Sequence, residues 1–100
     1  MEPRQLLHPA FVRLIEFDHE NGTEYLSTAH AIVTGDGNLR HTADKLHLHL
    51  NTLYYRLKKI EEITGRNIMD GETAFLFSLS FKILSASKGE NHGYYYLSRR

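Results

Sequence analysis

From His49 onward the chain gathers hydrogen-bonding and cationic side chains: His49, Asn51, Thr52, Tyr55, Arg56, Lys58 and Lys59. An asparagine amide can pair bidentately with an adenine edge. Threonine and tyrosine can bond phosphate or lie on a thymine methyl, and lysine or arginine neutralises phosphate or reads guanine. The chemistry these residues offer is recognition of a polyanion's edges and backbone, provided that one rigid element holds them on one side. Leu53, Leu57, Ile60 and Thr64 recur at spacings of four, three and four, which predicts a helix from about His49 to Thr64 with those residues inward. Stepping 100° per residue from Leu53 turns Asn51, Tyr55, Lys58 and Glu62 outward. Thr52 and Lys59 then flank one side of that face, and Tyr54 and Glu61 the other. The two glutamates come late, where a helix lying in a groove would be leaving it.

The preceding segment must position this helix. Asn38 is a good N-cap for a short helix with Leu39, Ala43 and Leu46 inward and Arg40, His41, Asp44 and Lys45 outward. Two short helices joined by a tight turn need a small residue where they cross and apolar residues that pack on a third helix. Ala43 fits the crossing, and Leu46, Leu48, Leu53 and Leu57 fit the packing. The turn residue is often glycine; here it is His47, a type enriched at positive φ. The stretch Asn38 to Ile63 therefore reads as a helix-turn-helix.

Around it the periodicity predicts three more helices. One starts near Pro9, carries Phe11, Leu14 and Ile15 on one face, and stops at Asn21-Gly22. A second, N-capped by Thr23, aligns Leu26, Ala29, Ile32 and Val33 and ends at Gly35-Asp36-Gly37. The last, capped by Asp70 and running to about Ser87, has Phe75, Leu76, Leu79 and Ile83 as its apolar face. The expected fold is all-α, a five-helix bundle: residues 1–8 a lead, 9–87 the domain, and 88–100 a loose tail containing Tyr94, Tyr95 and Tyr96.

Composition narrows the function classes. A chain of 100 residues, 41% hydrophobic and 24% charged, is one globular domain, with little room for a deep cleft beside its core. Net charge is zero, which taken alone argues against a nucleic-acid partner. The distribution of charge argues the other way. Up to residue 37, Arg4 and Arg13 face Glu2, Glu16, Asp18, Glu20, Glu24 and Asp36, a balance of −4. Between 38 and 66, Arg40, Lys45, Arg56, Lys58, Lys59 and Arg66 outnumber Asp44, Glu61 and Glu62, a balance of +3. A polyanion finds its attractive surface in the middle third.

With no cysteine there is no disulfide framework, thiolate site or cysteine nucleophile, and the expected compartment is the cytoplasm. No apolar run reaches membrane-spanning length, and Met1-Glu2-Pro3-Arg4 is no signal peptide. Asn21-Gly22-Thr23 matches a glycosylation sequon and is read as a helix stop. Seven histidines raise the question of a metal; His47 and His49 diverge in a helical turn, and no acidic partner completes a set, so neither metal nor cofactor is expected. Glu16, Asp18 and Glu20 follow no metal spacing, and there is no Gly-rich phosphate loop or flanked serine nucleophile, so no enzyme is expected. From composition alone the polar side of the fourth helix could equally be a solvated face. A protein-interaction or dimerisation module is the rival, with the last helix as a seam and Phe77 and Phe81 partly exposed beside its stripe.

The stretch GNLRHTADKLHLHLNTLYYRLKKIEEITG resembles the C-terminal helix-turn-helix of the PucR/CdaR family of bacterial transcription regulators. LLHPAFVRLIEFDHENGTEYLSTAHAIV is similar to that family's two preceding helices, and Asp70 to Leu84 to its final one. The helix-turn-helix is also similar to that of the nucleoid protein Fis. The resemblance implies an output domain that binds operator DNA, with the helix from His49 in the major groove. A separate upstream part would sense a small catabolic metabolite, and homodimerisation, through that part, would set two half-sites about one turn apart. It puts His49, Asn51, Thr52, Tyr55 and Arg56 at or near DNA, with Arg40, Thr42, Lys58 and Lys59 completing the expected DNA-binding set. One position departs from the family: Leu50 stands where arginine is common, which implies a changed affinity or operator, with Arg40 and His41 restoring part of the phosphate attraction.

Overall fold

A computed structural model describes residues 3–88, and the tyrosines of the expected tail lie outside them. The described residues are all-helical: α1 (Pro3–Leu6), α2 (Pro9–Asn21), α3 (Tyr25–Val33), α4 (Leu39–Leu46), α5 (Leu50–Thr64) and α6 (Gly71–Lys88). The five longer helices are those the periodicity predicts. The single turn α1 falls in the stretch read as a lead, where four residues are too few to express a period; it packs on α6.

Each start and stop has a chemical cause. The His8 ring accepts a hydrogen bond from the Ala10 amide (3.1 Å), and Pro9 fills the first position of α2, where a missing N–H costs nothing. Asn38 caps α4 by accepting from the His41 amide (3.1 Å), and Asp70 caps α6 by accepting from that of Thr73 (3.3 Å). Gly65, at φ 75°, ends α5 with its N–H on the Glu61 carbonyl, a left-handed conformation that strains side-chain-bearing residues. The start of α3 differs from expectation. Thr23 does not cap it; the N-cap position is Glu24, which makes no side-chain cap. Asp18, near the end of α2, reaches across the turn instead, accepting from the Tyr25 and Leu26 amides (2.9 and 2.7 Å) and the Thr23 hydroxyl. A carboxylate at a helix N-terminus satisfies orphan donors and complements the helix dipole. Asp18→Ala is expected to destabilise the domain by about 2 kcal/mol, measured as a lower urea midpoint with unchanged slope.

The core lies where α2, α3, α5 and α6 meet. Phe11, Leu14, Leu53, Ile60 and Phe77 are fully buried, and the Phe11 ring makes edge contacts with Phe77 (5.5 Å) and Phe81 (4.7 Å). Arg13 on α2 donates to the Thr64 carbonyl (3.1 Å), placing a cation at the C-terminal end of α5. The orientation of α6 is the main departure from the sequence-based expectation. Its inward residues are Thr73, Phe77, Ser80 and Leu84, while Phe75 and Leu79, expected inside, are 65% and 45% exposed. Thr73 and Ser80 go inward because partners wait there: Arg66 donates to the Thr73 hydroxyl (3.2 Å) and the His8 amide to that of Ser80 (3.2 Å).

Candidate nucleic-acid interface

α4 and α5 are joined by His47-Leu48-His49. His47 takes φ 58°, the one positive value at a non-glycine among the described residues, and the Leu48 amide closes the turn on the Ala43 carbonyl (2.8 Å). This left-handed residue replaces the usual glycine, as histidine's tolerance of positive φ predicts. Ala43 is buried at the crossing. Leu48 and Leu50 are half-buried, and Leu50 packs on the core with the other partly buried leucines. α3 packs on α4, and at Gly35, just past the end of α3, an added Cβ would sit 2.9 Å from the Ala31 carbonyl oxygen of α3 and 3.3 Å from the Thr42 hydroxyl of α4.

On α5, with Leu53 and Ile60 fully buried beneath, Asn51, Tyr54, Tyr55 and Lys58 form one exposed stripe, continued by Glu61 and Glu62 at the far end. Tyr54 and Tyr55 are 51% and 58% exposed. The face is turned slightly toward Tyr54 relative to the helical-wheel expectation. Tyr54, a flank on that wheel, belongs to the surface, and the spacing 51-54-55-58 is the signal for it. Thr52 and Lys59 lie half-buried on the opposite flank, Lys59 paired with Glu62 at 3.5 Å.

Two of the expected site residues point elsewhere. Thr42 is buried, its hydroxyl donating to the Asn38 carbonyl (3.2 Å), because its position on α4 faces α3. Arg56 turns back into the bundle and donates to the fully buried Thr28 hydroxyl (2.9 Å), whose own O–H goes to the Glu24 carbonyl (3.0 Å). Its position, three residues after Leu53 and four before Ile60, is an inward one. Arg56→Ala is expected to lower stability by about 1 to 2 kcal/mol, by removing the donor to the buried Thr28 oxygen and the packing of the arginine stem. Duplex affinity per folded molecule should fall by less than it does for Asn51→Ala. Urea unfolding and fluorescence anisotropy on the same variant check both parts.

Arg40, His47 and His49 are exposed beside the turn, around an open hollow that also holds Asp44. His41 is exposed too, but its Nδ1 lies 2.9 Å from an Asp36 carboxylate oxygen. The His41 ring, with the Asn38 amide behind it, holds the Asp36 carboxyl below its ordinary value. Buried Tyr25 is held above the usual tyrosine value, first by burial and then by the neighbouring Tyr55. α5 itself starts without a side-chain cap at His49, so its first amides make no such bond. Among the described residues no three His, Asp or Glu side chains gather as a metal site requires. Nor is any helix among them long and apolar enough to cross a membrane.

The sequence model described as the PucR C-terminal helix-turn-helix domain matches residues 25–83, spanning α3, α4, α5 and most of α6. The chain belongs to the PucR C-terminal helix-turn-helix family. Three similar proteins in Bacillus subtilis (strain 168) carry regulatory names. The DNA-binding transcriptional activator AdeR is 27% identical over 71 residues, 71% of this chain and 17% of that protein. The proline-responsive transcriptional activator PutR is 36% identical over 56 residues, 56% of this chain and 14% of that protein. The purine catabolism regulatory protein is 40% identical over 42 residues, 42% of this chain and 8% of that protein. The PucR-type domain thus spans less than a fifth of the length of these relatives. No solved structure gives a significant match. In this PucR-type fold α5 is the second helix of the helix-turn-helix and presents the exposed stripe.

Proposed function

We propose that this PucR-type domain binds operator DNA in a sequence-dependent way, with the N-terminal half of α5 in the major groove and α4 crossing the backbone. One observation carries the reading: Asn51, Tyr54, Tyr55 and Lys58 share the solvent side of α5, with Leu53 and Ile60 anchoring the other side and the acidic pair displaced to the far end. Asn51 supplies base-edge hydrogen bonds, and Lys58 meets phosphate. The exposed Tyr55 ring offers apolar contact to a thymine methyl. Arg40 and the exposed turn histidines lie where the flanking backbone would pass. Leu50, packed on the core, contributes no cation.

The names of PutR and the purine catabolism regulatory protein support a wider reading. On that reading, the domain is the output part of a cytoplasmic regulator that answers to a small catabolic metabolite, and two copies occupy half-sites about one helical turn apart. Selection of bound sequences from a random duplex pool, with the winners re-measured at two salt concentrations, tests the DNA-binding core of this proposal. A recurrent motif whose affinity falls steeply with salt is the expected result. A pool that never departs from random would overturn it.

A further inference from the structure

The structure assigns the outer face of α6 to self-association: we infer that two copies of this chain pair through it as antiparallel helices. α6 packs on α1 and α3 and buries Thr73, Phe77, Ser80 and Leu84, yet its opposite face carries Phe75 and Leu79, 65% and 45% exposed. A helix with apolar residues on both sides is covered on both sides.

The pattern on the outer face selects the occupant. In a two-fold contact, residue i must meet residue j and j must meet i. Phe75 and Leu79 lie equally far on either side of Phe77, and so do exposed Glu72 and Lys82. Two α6 helices crossing antiparallel at the level of Phe77 bring Phe75 against the partner's Leu79 and Glu72 against the partner's Lys82, each twice. A parallel pairing would set Glu72 on the partner's Glu72 and Lys82 on the partner's Lys82, so the charges choose the direction. Apolar and ionic complementarity share one centre, which a surface shaped for an unrelated partner has no reason to do. The pairing uses no residue of the α5 stripe. The inference stands apart from the DNA-binding reading, since a single domain can occupy one half-site.

One helix pair is a small interface, so a weak dimer is expected. Sedimentation equilibrium of the 100-residue chain from about 10 µM to about 1 mM should show reversible dimerisation. The double substitution Phe75→Glu, Leu79→Glu should leave only monomer, with helical circular dichroism unchanged because both side chains are exposed. Glu72→Lys and Lys82→Glu should each weaken the dimer about tenfold by creating like-charge contacts, and the two combined should restore it to within about threefold. A monomer throughout, with the face then serving a different partner, would overturn the proposal. So would a dimer that survives the Phe75, Leu79 double substitution, or a charge-swapped pair no stronger than its single parents.

Discussion

Asn51→Ala is expected to weaken binding to a selected duplex by about 1 to 3 kcal/mol, roughly 5- to 150-fold, and to relax preference at one base pair. The amide is exposed in the first turn of α5, where a helix entering the major groove meets base edges, and its loss removes a donor and an acceptor together. Stability should barely move, since exposed helical positions away from caps change stability by no more than about 0.5 kcal/mol. Lys58→Ala on the same stripe supplies the contrast: affinity falls by similar factors on every sequence, and the slope of log affinity against log salt flattens by about one. Competition anisotropy with a panel of single-base variants separates the two patterns. Asn51→Ala losses shared equally by all sequences would remove base reading from this residue.

Phe11→Ala is expected to cost about 3 to 5 kcal/mol of folding stability. The ring is fully buried where α2 meets α6, against Phe77 and Phe81, and its removal opens a cavity between helices that cannot close without moving α6. For a domain of this size, each kcal/mol lowers the unfolding temperature by about 4 to 8 °C, so the variant should melt roughly 12 to 40 °C early. DNA binding should disappear with the fold and return at temperatures where the helical signal returns. A thermal scan by circular dichroism measures it. A fall of less than about 5 °C would mean that the aromatic cluster does not hold α2 to α6 as described.

The helix-turn-helix is legible in the sequence because its signals are local and redundant. Asn38, His47 and Gly65 bound two short helices by cap and turn chemistry, and Leu53, Ile60 and Thr64 fix which side of α5 is buried. The inward face of α6 is not legible, because apolar residues lie all round the helix and periodicity has no single solution. What decides its orientation is tertiary: Thr73 and Ser80 find partners in Arg66 and His8, neighbours that no window along the chain reveals. Asp18 is hidden for the same reason, as a cap delivered from the preceding helix. Among the site residues, Arg56 looks in the sequence like one of three cations on a wet surface. Its inward spacing is visible there; the buried Thr28 hydroxyl that draws it in is not. Thr42 likewise sits on the side of α4 that only the packing of α3 defines.

Which surface meets the duplex is the central question, and amide chemical-shift mapping of the isotope-labelled chain with a selected duplex addresses it directly. The largest shifts are expected at residues 50–58 of α5, with smaller ones at Arg40 and in the His47 to His49 turn, while α2 and the outer face of α6 stay silent. Saturable shifts confined to α2 or α6, with Asn51, Tyr54 and Tyr55 unmoved, would contradict it.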